Sequence, residues 1–240
     1  MNYTEQFMTK KNLLFIAIFT LVGFIALQIP VTQLEWSNAK FTVYDAFAPV
    51  AGFFIGSVPG VMAVFLMQFF NFLIHGAHIA DVGTIIRFFP ILFAVLYFAK
   101  KRTFNVIIPM IAIVAFIAHP IGREVWYFTL FWTIPIICHF WRERFLFARA
   151  LGTTFTAHAV GGALWMWVFA LPAPVWNGLI PVVATERFLF ALGICGSFVV
   201  VNNLLCLLEK KHLLRLGFSI DQKYLVPTLR DTYAAKTYTT

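Results

Sequence analysis

The chain has 240 residues, of which 61% are apolar and 12% charged, against about 45–50% and about 25% in an ordinary soluble domain. A water-surrounded fold of this length cannot bury that much apolar surface, so the composition excludes a typical soluble domain and points to lipid as the solvent. The net charge of +8 does not indicate nucleic acid, because Lys and Arg stand in short clusters between apolar runs.

In chain order, the polar start from Met1 to Lys11 precedes an apolar run with no small-residue cleavage site at its end, which predicts an uncleaved first helix. Eight segments are apolar enough to cross a bilayer: 13–31, 43–57, 60–76, 84–99, 104–118, 125–141, 149–171 and 187–208. Between the second and third, Ser57-Val58-Pro59-Gly60 favours a tight turn joining two short antiparallel helices over one long helix. The expected fold is therefore an all-α, polytopic membrane bundle of about eight spans over residues 1–217, followed by a polar, loosely packed cytoplasmic tail over 218–240. Cys138, Cys195 and Cys206 lie inside apolar segments with no paired spacing, so neither a disulfide framework nor a thiolate metal site is expected.

Cytoplasmic connections retain Lys and Arg during insertion. Alternate segment ends carry Lys10 and Lys11, then Lys100, Lys101 and Arg102, then Arg142, Arg144 and Arg149, then Lys210, Lys211 and Arg215. The opposite loops hold Lys40, Arg123 and Arg187, with Arg87 just inside a helix. This asymmetry predicts a multi-pass protein of the inner or plasma membrane with both termini cytoplasmic.

Ionisable groups inside a membrane are costly, so each is a candidate for function. In this topology the outer half collects Asp45, Asn71, His75, His78, Asp81, Arg87, His119, Arg123, Glu124, Trp176, Asn177, Glu186 and Arg187. A proton relay or ion channel needs polar groups through the full thickness, whereas a capture site needs them at its mouth, so the one-sided distribution points to a pocket open to the outside. Asp45 has Arg87 as a prospective partner, and Glu186 and Arg187 read as helix-end anchors. His75, His78 and Asp81 are ligand types a divalent metal accepts, but Gly76 between the histidines and the loop after them argue against a preformed site. His158 sits among Ala157, Ala159, Gly161 and Gly162, which allow close packing and a hydrogen bond to a neighbouring helix, and Asn202 and Asn203 read as contacts between helices. No phosphate-binding loop, zinc-protease motif or nucleophile elbow is present, so no enzymatic activity and no cofactor are expected.

The stretch Asp45-Ala-Phe-Ala-Pro-Val-Ala-Gly-Phe-Phe-Ile-Gly-Ser-Val-Pro-Gly-Val-Met-Ala-Val-Phe-Leu-Met-Gln-Phe-Phe-Asn71 resembles the second and third helices of the S components of energy-coupling factor vitamin transporters, especially the riboflavin-type members. Asp81-Val-Gly-Thr, the helix ending at Lys100-Lys101-Arg102, and the last helix from Glu186 to Lys210-Lys211 are similar to the same family. Against its usual six helices, the pair at 125–141 and 149–171 is additional, and the first helix carries Ala17, Gly23 and Ala26 in place of an Ala-x-x-x-Ala pattern. The resemblance implies a subunit that captures a vitamin-like micronutrient at the outer face and moves it with a transmembrane coupling subunit and cytoplasmic ATPases. Asp45, Asn71, His75, His78, Asp81, Arg87, His119, Trp176 and Asn177 are the expected substrate contacts, with aromatic rings to stack on a planar ligand. A non-transporting membrane scaffold or sensor, and a metal-ion permease, are the other readings these residues leave open.

Overall fold

A computed structural model describes residues 10–33, 40–75, 82–210 and 218–230. These residues are overwhelmingly helical and form an all-α bundle, the outcome physical chemistry favours for apolar sequence, since a helix satisfies its own backbone polar groups.

Helix α1 (Lys10–Leu27) ends sooner than the apolar run suggests. Its last turn tightens, with the amides of Gln28 and Ile29 bonding to the carbonyls of Ile25 and Ala26. Pro30, which cannot donate, then opens a short hairpin of β1 (Pro30–Gln33) and β2 (Lys40–Thr42), paired antiparallel with Gln33 opposite Lys40. β2 runs straight into α2 (Val43–Phe47), a 3-10 turn (Ala48–Val50) containing Pro49, and α3 (Ala51–Ile55).

The reversal falls at Gly56, whose φ of 95° is a conformation glycine adopts without strain. Ser57-Val58-Pro59-Gly60, expected as the turn itself, instead forms the first turn of α4 (Ser57–His75), where the missing amide of Pro59 costs little. The two helices then touch backbone to backbone: a Cβ on Gly60 would lie 2.6 Å from the Cα of Gly52.

Helices α5 (Val82–Ala99) and α6 (Phe104–Ala118) follow. The stretch expected as a sixth span is irregular, comprising α7 (Pro120–Glu124), a 3-10 segment (Trp126–Thr133) and α8 (Ile134–Trp141). Helix α9 (Leu146–Phe169) packs chiefly on α5. The final helix, α10 (Ala173–Lys210), begins well before the expected start at 187, because Pro174 sits in its first turn and Pro181 is absorbed within it.

Among the described residues two helices, through Ser57–Ile74 and Ala173–Lys210, are long and apolar enough to cross a membrane, and shorter apolar helices run through Phe15–Leu27, Val43–Ile55, Ile85–Ala99 and Phe104–Ala118. Large apolar side chains stay on the surface, Phe140 and Val114 at 70% and 69% exposure among them. The interior is divided into two apolar clusters. One gathers Phe15, Phe19, Phe54, Met67, Val95, Phe98 and Phe198; the other gathers Ala112, Phe116, Phe128, Trp132, Phe155, Met166 and Trp176. Helix α10 runs through both, and so does α9, which gives Ala150 to the first and Phe155 to the second.

Residues 218–230, expected to be loosely packed, instead strap the end of the bundle that carries Arg142 and Arg144. The Asn202 amide exchanges two hydrogen bonds of 2.9 Å with the backbone of Asp221, and Asn203 bonds to Tyr224 O and Val226 N at 2.8 Å each. Phe218 packs on Phe15, Tyr224 on Phe198, and the Lys223 ammonium donates to the Arg144 carbonyl. These asparagines therefore clasp the tail instead of joining helices. Four such bonds, at about 1 kcal/mol each, predict that Asn202→Leu with Asn203→Leu speeds trypsin cleavage at Lys223 by up to about a thousandfold, at about 1.4 kcal/mol per decade; unchanged cleavage would assign the hold to the Phe218 and Tyr224 rings alone.

Candidate functional site

Between the two apolar clusters runs a polar seam. Glu186 and Arg187 lie about 20 Å from the start of α10 at 1.5 Å per residue, and both are buried, at 8% and 5% exposure. They are not helix-end anchors: Val183, just before them, belongs to one apolar cluster, and Ala191 and Ile194, just after, to the other. The Arg187 guanidinium lies 3.5 Å from the Glu186 carboxylate and 3.4 Å from the Thr154 hydroxyl on α9, and it covers the Phe190 ring at 4.9 Å.

Asp45 reaches the same seam from α2. Its carboxylate accepts the Thr42 amide at 2.9 Å, which fixes the start of the helix, and Arg187 is near enough for its charge to act on it. Close approach makes this possible, since a Cβ on Gly193 of α10 would lie 2.8 Å from the Cβ of Ala46. The cationic neighbour of Asp45 is thus Arg187 and not Arg87.

One turn along α9 from Thr154, His158 completes the seam. Its Nδ1 accepts the indole N–H of Trp132 at 3.0 Å, a bond between segments of the kind expected for this histidine. Phe128, Trp132 and Phe155 surround the imidazole with ring centroids 5.6, 6.1 and 6.2 Å away, and the charge of Arg187 reaches it as well. A Glu186–Arg187 ion pair thus lies among apolar side chains with the Asp45 carboxyl and the His158 imidazole, from two other helices, within reach of its charge, where each unpaired charge is costly.

The other predicted contacts are dispersed around the opposite rim from the strap. Asn71 accepts a hydrogen bond from Gln28 at 3.1 Å. Arg87 is exposed and lies 5.9 Å over Trp165, while His119 meets Trp167 edge-on at 5.2 Å, so the last turns of α9 gather both. Trp176 is buried against Phe116 and Phe128, its indole bonded to the Leu171 carbonyl, and the neighbouring Asn177 accepts the Tyr127 hydroxyl at 2.5 Å. Among the described residues no hydrogen bond or ion pair joins two members of the predicted set to each other. The side chain of His75, and all of His78 and Asp81, lie outside the described residues. Among the described residues no group of three or more His, Cys, Asp or Glu is placed to hold a metal ion.

Sequence reasoning undervalued Glu186 and Arg187 and missed Thr154 and Trp132. The available signal was a charged pair inside an apolar stretch that stays helical from 173 to 210. Comparison with protein-family models, with characterised proteins and with solved structures finds no match. Fold and site together define a class: an all-α bundle with apolar helices of membrane-crossing length and an ionic cluster at the junction of its two cores.

Proposed function

We propose that this chain is a multi-pass protein of the inner or plasma membrane that binds and translocates a small organic micronutrient. The observation that carries the reading is the buried Glu186–Arg187 pair between the two apolar clusters, with Asp45 and His158 within reach of the Arg187 charge, because charged groups kept inside an apolar bundle mark substrate pathways by default. The apolar side chains left on the surface suit lipid contact.

Eight passes are proposed: the seven long or paired helical stretches together with the irregular run from Pro120 to Trp141. The end holding Arg142, Arg144 and the strap faces the cytoplasm, as the basic clusters require. Asn71, Arg87, His119, Trp176 and Asn177 then form the outer mouth, and Asp45 the start of the interior site. A transmembrane coupling subunit and cytoplasmic ATPases supply the energy, since this chain carries no phosphate-binding loop.

The test is to purify the protein from cells grown in rich medium, denature it and search the extract by mass spectrometry. A vitamin-sized organic compound is expected, and the near-isosteric Asp45→Asn should reduce its retention by about tenfold, equivalent to about 1.4 kcal/mol, with little change in melting temperature. If the wild type retains nothing and takes up nothing when offered a vitamin mixture, the nutrient reading is lost.

A further inference from the structure

We propose that the α5–α6 turn and the α8–α9 turn together hold the phosphate of an anionic glycerophospholipid, with its hydrocarbon against the rings beside them. The proposal goes beyond the uptake reading and needs only that the chain lies in a membrane.

Lys100, Lys101, Arg102 and Arg144 are exposed, and among the described residues none of them has an acidic group within ion-pair distance. Glu143, beside them in sequence, is taken up by the two buried guanidiniums of Arg142 and Arg149. Insertion bias accounts for such charges at this end, but not for their being held in place. Asn105 clamps the α5–α6 turn: its side-chain oxygen accepts the Arg102 amide at 3.2 Å, and its nitrogen donates to Tyr97 O at 3.1 Å. Arg142 ties the same turn to the end of α8 through the Lys100 carbonyl, and the charge of Lys101 reaches the His139 imidazole on α8. Next to His139 the surface is aromatic. Phe140 meets the imidazole edge-on at 5.7 Å, and Trp141 lies 6.2 Å from Phe145, whose face carries the Arg144 guanidinium at 5.3 Å. All three of these rings are exposed. Fixed cations beside exposed rings match a molecule with a phosphate at one end and hydrocarbon at the other, and basic pockets between helix ends suit anionic headgroups for this reason. A free phosphate would use the cations alone, and a zwitterionic headgroup brings an ammonium that these cations repel.

Purified full-length protein in neutral detergent is titrated with phosphatidylglycerol or with phosphatidylcholine of the same acyl chains, and bound lipid is counted by native mass spectrometry. Phosphatidylglycerol is expected to bind about tenfold more tightly or better. Lys101→Gln with Arg144→Gln should lower its affinity by about thirtyfold, at about fivefold per cation. Arg123→Gln with Arg230→Gln removes the same charge elsewhere and should change it by less than about twofold. All four side chains are exposed, and should the first double variant still not fold, Lys101→Gln alone decides, with a loss of about fivefold expected. Lys101→Arg, which keeps the charge, should bind as wild type does. Equal affinity for the two lipids, or an equal loss in both double variants, overturns the proposal. So does displacement of the lipid by millimolar inorganic phosphate, or an acidic protein retained in its place and lost from Lys101→Gln with Arg144→Gln. Each of these failures leaves the uptake reading standing, since that reading is decided by the retained vitamin-sized compound.

Discussion

Arg187→Met is expected to destabilise the protein by about 3–5 kcal/mol, the cost of leaving a buried ionic group without its partner. Arg187 faces Glu186 at 3.5 Å and acts on Asp45, so removing its charge takes a nearby cation away from two carboxyl groups inside the bundle. Methionine nearly fills the space, which makes the loss electrostatic and not a cavity effect. The check is a second substitution. Glu186→Gln added to Arg187→Met removes one of those two carboxylates, and the double variant should regain about half of the lost stability, since neutralising a whole buried pair is often close to neutral. Melting followed by size-exclusion chromatography in detergent measures both. If the double variant melts no higher than the single one, the seam is not an ionic unit.

That seam shows how far local sequence signals reach. Asp45 is identifiable as a polar residue among apolar ones, and its role at the start of α2 follows from Thr42 three places earlier. Its partner is not, because Arg87 and Arg187 are equally plausible until α10 is known to run unbroken from Ala173. Pro174, Asn177-Gly178 and Pro181 all argue for a loop when read locally. Within an apolar bundle, a continuous helix is the cheaper way to satisfy the backbone, and Pro181 forfeits only one bond. The same competition moves the reversal from Ser57–Gly60 to Gly56 and ends α1 before Pro30. A hydrogen bond from His158 to another segment is legible from its small neighbours, yet its donor is not, for Trp132 lies in an irregular stretch that periodicity does not describe. Basic clusters are the most legible feature of all, since they depend on composition at segment ends and not on which side chains meet.

Arg142 is the exception among those basic residues, and its substitution should have the second largest effect. The side chain is fully buried, and its guanidinium donates to the carbonyls of Tyr97, Phe98 and Lys100 at the end of α5. Those carbonyls have no partner within their own helix, and the negative end of the helix dipole favours a cation there. Burial pulls the Arg142 guanidinium down to about 10, with Arg149 pushing the same way and Glu143 opposing; at neutral pH it is still charged, so the three bonds are charge-assisted. Arg142→Met leaves the Phe98 and Lys100 carbonyls without their guanidinium, while Tyr97 O keeps the Asn105 amide, and should cost about 3–5 kcal/mol. Arg142→Lys keeps the charge but lacks the planar fork that reaches three acceptors, so it should recover only part. Glu143 is half exposed and bridges Arg142 at 3.0 Å and Arg149 at 2.8 Å, and Glu143→Gln should cost less than about 1 kcal/mol because solvent screens it. Melting of the three variants side by side decides the matter. If Arg142→Met melts with Glu143→Gln, the capping role is wrong. If the expected order holds, a single guanidinium joins the α5–α6 turn to the α8–α9 turn through helix carbonyls, and the acidic partner Glu143 adds little to that joint.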